Sequence, residues 1–539
     1  MSPPSIPDRY LVWLSGALLA VLTAASLLLR PLAPIDETRY VSVAWEMWLR
    51  GDFWVPFKNG EAYSHKPPFL FWMIHAGWAL FGVSEWWPRL ISPLFAVGCL
   101  VLTGRLSHQL WPACAGCAGR AMLILSSCLL WMVFSGALMF DVLLTFWVLL
   151  GMLGVLTAAA GHVRGWGLLG VAIGLGALTK GPVILLDVLP VALLAGWWQR
   201  ERMQSSLRRF GGLLLAVLLG MAIALAWAVP AGRMGGEAYQ QAIFWGQTAH
   251  RMVDSFAHER PVWWYLPLLP LLLFPWLVWA GAWRAFMQQR RAGFDRGIRF
   301  TLAWMLPVLM ILSFISGKQP HYLVPLVPAF ALLLARLLTG SESTRSGLPA
   351  LGAALLAAVL IVAASGGLAR LNGEVAALPP LWPGLLLLLL ALASWLAGRR
   401  GWPALPNLSL LAVASVVLVQ VALLHSIVPM FDLKPMAEAI RVEQQAGHTV
   451  AHLGKYHAQY QFLGRLEQPL VELGDIDQKR AWLSAHPAAY AVMYREGFDD
   501  TGHAGAITAR HRQAYRGGVA LLVDARTALI LLDEKRSGR

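Results

Sequence analysis

The stretch LVWLSGALLAVLTAASLLL-RPLAPI-DETRY, residues 11–40, sets an uninterrupted apolar run against a charged segment. Residues 11–29 carry no charge and are long enough to cross a hydrocarbon core of ~30 Å. Asp36, Glu37, Arg39 and Tyr40 follow at once, and the polar segment closes on His65-Lys66-Pro67-Pro68. Two carboxylates, an arginine, a lysine and several aromatics beside a membrane span have the composition of a site. Arg39 and Lys66 suit a phosphate, by planar fork and by point charge, while Asp36 or Glu37 suits proton abstraction from a hydroxyl or amine. On this stretch alone an interfacial loop with solvated charges and an aromatic belt is an equal alternative.

Composition extends the membrane reading to the whole chain. Of 539 residues, 58% are hydrophobic and 13% charged, far from the balance of a soluble protein. The formal net charge of +14 lies in short clusters between apolar runs, which marks topology and excludes nucleic acid as a partner. The four cysteines include one close pair, Cys114 and Cys117, with no second pair to complete a zinc set. They read as small residues between helix ends, and structural disulfides are not expected to matter.

No convincing cleavage site follows residues 11–29, so this run is expected to stay as a helix with its amino end inside. The first outer loop, 31–88, then faces outside and contains an aromatic interfacial helix at 67–81. Further spans are expected at 90–110, 121–140, 142–160, 166–178, 183–198, 211–229, 266–283, 300–315, 323–338, 348–366, 381–397 and 408–428, about 13 in all. The arginine clusters near 200–209 and 284–299 fall inside by parity and by the positive-inside rule. After 428 the composition changes: a helix is expected at 432–445, and strands at 449–453, 488–494, 519–524 and 528–532. The fold class is therefore an α-helical polytopic membrane domain, 1–428, followed by a small soluble α/β domain, 429–539, on the outer face.

Against that topology, Arg39, Lys66, Lys180 and Lys318 lie at outer loops or outer helix ends, where cations are disfavoured. A lipid phosphate explains the four together, although each lysine alone reads more readily as a snorkelling headgroup anchor. Asp141 falls at an outer hairpin tip, as a second carboxylate or as a solvated loop residue. Asp187 lies inside an apolar run, where an ionisable group is a functional candidate by default; hydrogen bonding to a neighbouring helix is the milder account. His65, His250, His258 and His321 leave a divalent metal site open.

The order Asp36-Glu37-Thr38-Arg39-Tyr40, Lys66-Pro67-Pro68, Arg89-Leu90, Leu178-Thr179-Lys180-Gly181-Pro182 and Lys318…Tyr322…Pro325…Pro328 resembles the aminoarabinose transferase and protein O-mannosyltransferase superfamily. These are polyprenyl-phosphate-sugar-dependent glycosyltransferases of the GT-C fold. The resemblance covers nearly all of the membrane part and implies Asp36 as catalytic carboxylate, with Glu37 and Asp141 as further acidic positions. It implies Arg39, Lys66, Lys180, Lys318 and Tyr322 as donor-phosphate ligands. His65, Tyr40, Arg89, His250, His258 and His321 are expected as substrate or metal contacts. No cofactor is required by this chemistry, with a divalent metal left open.

The implied activity is inverting transfer of an aminoarabinose-like sugar or hexose from polyprenyl phosphate to lipid A or another envelope acceptor, at the periplasmic side of a bacterial inner membrane. The alternatives are protein O-glycosylation and, from another class, a lipid flippase or transporter. A transporter collects its polar features near the bilayer midplane, whereas here they gather at outer loop ends. One departure from the aminoarabinose branch is visible: His65 stands where glutamate commonly precedes Lys-Pro.

Overall fold

The computed structural model describes residues 7–199, 205–246, 259–339, 345–367, 378–496 and 509–536. His250 and His258 lie outside the described residues. The chain divides into two compact units: Met1–Leu28, Ser64–Val359 and Trp382–Val419 form the first, and Leu29–Tyr63, Leu360–Leu381 and Gln420–Arg539 the second. The tail thus has its own unit, but half of the first expected outer loop belongs with it.

The first unit is a helical bundle. Every one of the 13 apolar stretches expected as spans contains helix, yet they differ in length. Nine helices among the described residues are long and apolar enough to cross a membrane. The stretch expected at 121–140 is broken into Cys117–Ser126 and Leu129–Ser135, bent by 68°. Arg164–Lys180 has 17 residues, at the lower limit for a span, and Ile184–Leu193 and Tyr265–Leu272 have 10 and 8. The expected interfacial helix, Phe69–Phe81, buries Phe69, Leu70, Phe71, Ile74 and Trp78.

Glycine sets the geometry that matters most. Phe140–Ala159 and Arg164–Lys180 form an antiparallel hairpin whose backbones nearly touch: a Cβ on Gly165 would lie 2.2 Å from the Ala158 amide nitrogen, and one on Gly154 2.8 Å from that of Leu169. Small residues permit this approach where apolar burial gives no preference between helix and lipid. The pairing brings the start of one helix, at Asp141, beside the end of the other, at Lys180. Cys114 and Cys117, expected as unconnected small residues, are instead joined by a disulfide ahead of helix Cys117–Ser126. Their three-residue separation allows closure once the helix start turns the chain.

In the second unit, β1 (Phe57–Lys58) and β2 (Glu61–Ala62) form a short antiparallel hairpin after helix Asp36–Arg50. The tail forms a five-stranded sheet from β3 (Val450–Leu453), β4 (Val471–Leu473), β5 (Tyr490–Glu496), β6 (His511–Tyr515) and β7 (Gly518–Asp524), in the order β4-β3-β5-β7-β6. β3 runs parallel to β4 and β5, while β7 is antiparallel to β5 and β6. Ala451, Leu453, Ala491, Met493, Leu521 and Val523 alternate onto one buried face, as the two-residue period of a strand requires. Helix Lys434–Gln445 starts close to the expected position.

Residues 528–532, expected as a strand, lie within helix Ala525–Arg536. The Asp524 carboxylate accepts from the Thr527 amide and hydroxyl, both at 2.9 Å, and so opens the helix. Ala528, Leu531 and Leu532 then reach the sheet at helical spacing. A five-residue apolar run does not distinguish the two periods without that acidic cap. β4 and β6 were not expected; one has three residues and the other is polar and half-buried.

Candidate active site

In the first unit, Asp141 lies in the first turn of Phe140–Ala159 and is 1% exposed. Its Oδ1 accepts from Lys180 Nζ at 2.5 Å. Lys180 is the last residue of its helix, where a cation complements the carbonyl end and Asp141 complements an amino end. The ammonium also stands 5.0 Å from the centre of the Tyr322 ring. His321 and Lys66 interact electrostatically with Asp141, and Lys66 Nζ sits 5.4 Å from the Phe140 ring centre. His321 packs edge-on to Tyr322, ring centres 4.7 Å apart. Lys66, Asp141, Lys180, His321 and Tyr322, widely spaced in sequence, therefore form one cluster at helix ends. Asp141 is not the solvated tip residue of the alternative reading, because the close helix hairpin buries it against a lysine.

The second unit holds the other carboxylates. Asp36, Arg39 and Tyr40 share the first turns of helix Asp36–Arg50: Arg39 Nη2 and the Tyr40 hydroxyl, at 3.2 Å, both donate to Asp36 Oδ1. The Asp36 side chain is 50% exposed and that of Arg39 20%. Burial first, and then the Asp36 carboxylate, push the Tyr40 phenol up, so it stays protonated as a donor. Three-residue spacing on a helix produces the acid–arginine contact, as the sequence suggests.

Glu37 is placed differently. It is 3% exposed, its two oxygens accept from the Arg30 fork at 2.5 and 3.0 Å, and Oε2 accepts from the Ala33 amide at 2.6 Å. An enclosed carboxylate gripped by a guanidinium and a backbone amide locks the chain entering the helix and is poorly placed to receive a substrate proton. Arg30, which the sequence reading passed over, is its signal: a charge at the end of an apolar run.

Two other expected contacts, Lys318 and Arg89, are engaged by backbone carbonyls. Lys318 is 2% exposed, and its ammonium donates to the carbonyls of Arg260 at 2.8 Å and Ile315 at 2.6 Å. It therefore staples the turn, with two of its three N–H donors engaged. Arg89 is 9% exposed and donates to the Ser26 carbonyl at 2.5 Å, tying two helices together. His65 is exposed. Among the described residues no three His, Cys, Asp or Glu side chains converge as a metal set.

A many-helix membrane bundle with charged side chains gathered at helix ends, together with a small α/β unit, is the architecture of a GT-C protein. Its fold matches that of ArnT from Cupriavidus metallidurans bound to undecaprenyl phosphate, with a TM-score of 0.72 over 96% of this chain and 98% of that one, at 22% identity. A family profile described as dolichyl-phosphate-mannose-protein mannosyltransferase matches residues 65–229. The undecaprenyl phosphate-α-4-amino-4-deoxy-L-arabinose arabinosyl transferase of Pseudomonas paraeruginosa is 32% identical over 381 residues, 68% of this chain and 67% of the relative. This chain belongs to that transferase family, within the GT-C superfamily. It aligns with 60% of the length of the Pseudomonas aeruginosa relative, at 34% identity, and with 55% of one from Pseudomonas fluorescens.

Proposed function

We propose that the protein transfers an aminoarabinose-like sugar from undecaprenyl phosphate to lipid A or a related envelope lipid, at the periplasmic face of a bacterial inner membrane. The observation that carries this reading is the Asp141–Lys180 pair with Tyr322, His321 and Lys66 around it. Departure of a polyprenyl phosphate needs its negative charge met by fixed cations, and preorganised charge in an apolar surround is worth far more than in water. Lys66 and Lys180 supply the cations and Tyr322 a hydroxyl donor. Asp141 holds Lys180 in place.

Asp36 is the proposed base. It is oriented by Arg39 and Tyr40 yet half exposed, so that an acceptor hydroxyl or phosphate proton can reach it. Attack as the phosphate leaves inverts the anomeric carbon. Sidedness rests on the arginines of helix Ala280–Ala292 and of the first turn of helix Arg296–Phe314, which the positive-inside rule puts in the cytoplasm. A protein acceptor is the second reading, favoured by the mannosyltransferase profile.

The test is transfer by the purified protein from undecaprenyl phosphate-aminoarabinose, read by mass spectrometry with lipid A and envelope proteins offered together. Labelled lipid A supports the proposal, and labelled protein selects the second reading. Tight donor binding without any transfer product, alongside translocation of the lipid in vesicles, would overturn both.

A further inference from the structure

The second unit carries two lysines and a histidine, Lys58, Lys455 and His457, that the proposed chemistry does not use. Residues 454–458 leave β3 in a loop with left-handed backbone at both ends, Gly454 at φ 125° and Ala458 at φ 60°. Within it Tyr456 is buried, Lys455 is exposed and His457 half-buried. The Tyr456 hydroxyl bonds Gln461, and the Gln459 side chain accepts from the His457 amide at 3.0 Å, so the loop is fixed from beneath. Left-handed backbone at a non-glycine residue persists only where the surroundings impose it.

Two further segments bring charge to this loop. Lys58 of β1 donates to the Tyr456 carbonyl at 3.3 Å. Its hairpin is held by Asn59, which accepts from the Leu470 amide at 2.9 Å and Gln461 Nε2 at 2.8 Å and donates to the Leu470 carbonyl at 2.9 Å. Arg39 comes from helix Asp36–Arg50, and its Nε is buried with no hydrogen-bond acceptor among the described residues. His457 feels Arg39, Lys455 and Lys58, opposed by the single carboxylate of Glu472 on β4. Burial, and then these cations, hold its imidazole down to about 4.

We propose that Lys58, Lys455 and His457, with Arg39 at their edge, form an anion-binding site that takes a phosphate monoester. Asp36 already meets the Arg39 charge; Lys58 and Lys455, brought to one loop from two chain segments, repel each other unless an anion answers them. A phosphate dianion matches two lysines as charge and a neutral imidazole N–H as donor. The donor offers one phosphate, and on the reading above Lys66, Lys180 and Tyr322 meet it. The second phosphate then belongs to the acceptor headgroup or to free phosphate. That choice of source rests on the proposed function; the site itself does not.

The experiment measures binding by the full chain in detergent, with diphosphoryl lipid A, the same lipid dephosphorylated, inorganic phosphate and undecaprenyl phosphate as probes. The parent binds the phosphorylated lipid more tightly than the dephosphorylated one, and Lys455→Gln weakens it by about tenfold, the scale of one lost charge-assisted bond. Lys58→Gln/Lys455→Gln weakens it further. Lys455 is exposed and outside every packed element, so this variant folds even if the double one loosens the hairpin. Inorganic phosphate that competes at millimolar concentration identifies the phosphate group itself as the ligand, whereas competition by the intact lipid alone identifies its headgroup. In labelled-histidine NMR the bound anion raises the His457 pKa from about 4. Equal affinity of parent and both variants for every phosphorylated probe overturns the site. Failure of the parent to bind undecaprenyl phosphate counts against the transferase reading alone.

Discussion

Breaking the Asp141–Lys180 pair separates a structural bond from a catalytic one. The side chains are 2% and 12% exposed and meet at 2.5 Å. Asp141→Asn keeps the shape and strands the Lys180 ammonium among apolar helices; removing one partner of a buried pair costs ~3–5 kcal/mol. Replacing both groups, as Asp141→Leu/Lys180→Met, removes the stranded charge, and such apolar exchanges are often neutral or stabilising. The double variant is therefore expected to recover most of the lost stability, measured by denaturant unfolding in detergent. If the pair also prepares Lys180 for the donor phosphate, sugar transfer stays at least ~10²-fold down, the scale for losing one preorganised charge partner. A stability loss below ~1 kcal/mol in Asp141→Asn refutes the buried-pair argument. Recovery of transfer together with stability in the double variant refutes the chemical role.

Asp36→Asn is expected to fold, to bind undecaprenyl phosphate, and to lose ~10²- to 10⁴-fold in transfer rate; turnover within a few-fold of the parent reassigns the base. Glu37→Gln leaves Arg30 without its charge partner and should lower stability, with activity recovering when assays are run well below the melting temperature; loss of turnover in fully folded protein points instead to chemistry at Glu37. For pH, the sign follows from His452, which is 1% exposed and bonded to the Gly454 carbonyl and the Tyr494 hydroxyl. Burial first, and then Lys479, depress its pKa to about 4, below ~6.5 in an unfolded chain. The unfolded state therefore binds more protons between those values, so the sheet loses stability as pH falls from ~6.5 toward 4, by up to ~3 kcal/mol. Protection factors of the β3 and β5 amides in the full chain, taken relative to intrinsic exchange at each pH, should fall from pH 7 to pH 5, and His452→Gln should flatten that dependence; an unchanged slope in the variant rejects His452 as the source.

The membrane part was legible because lipid imposes one rule on every span, a run of apolar residues with internally satisfied backbone. The Asp141–Lys180 contact was not legible. It depends on Gly154 and Gly165 letting two backbones meet, and a glycine in an apolar run looks the same whether it faces lipid or a helix. Lys66 and Lys180 stood out as cations on the wrong side of the topology, a signal that survives without a structure. Lys318 gave the same signal, yet it bonds two carbonyls: position in a loop does not reveal which acceptors the turn presents. The tail strands were found where hydrophobic alternation was strong and missed at β4 and β6, where short length and polar edges hide the period.

The three carboxylates expected from the sequence as catalytic differ by environment more than by residue type. Asp141 and Glu37 are enclosed and ion-paired, with Lys180 and Arg30, so giving up their charge would break a buried pair. A carboxylate in that position fixes its partner and resists proton transfer. Asp36 has a guanidinium and a phenol on one oxygen, and its side chain stays half exposed, which leaves an oxygen for an incoming proton. The pairing that the sequence presents as two adjacent acids, Asp36-Glu37, is thus divided by the helix itself. One residue faces the chain that enters the helix and closes it with Arg30; its neighbour, rotated by about 100° on a helix of 3.6 residues per turn, pairs with Arg39 and keeps half its side chain exposed, the difference on which the proposal of Asp36 as base rests.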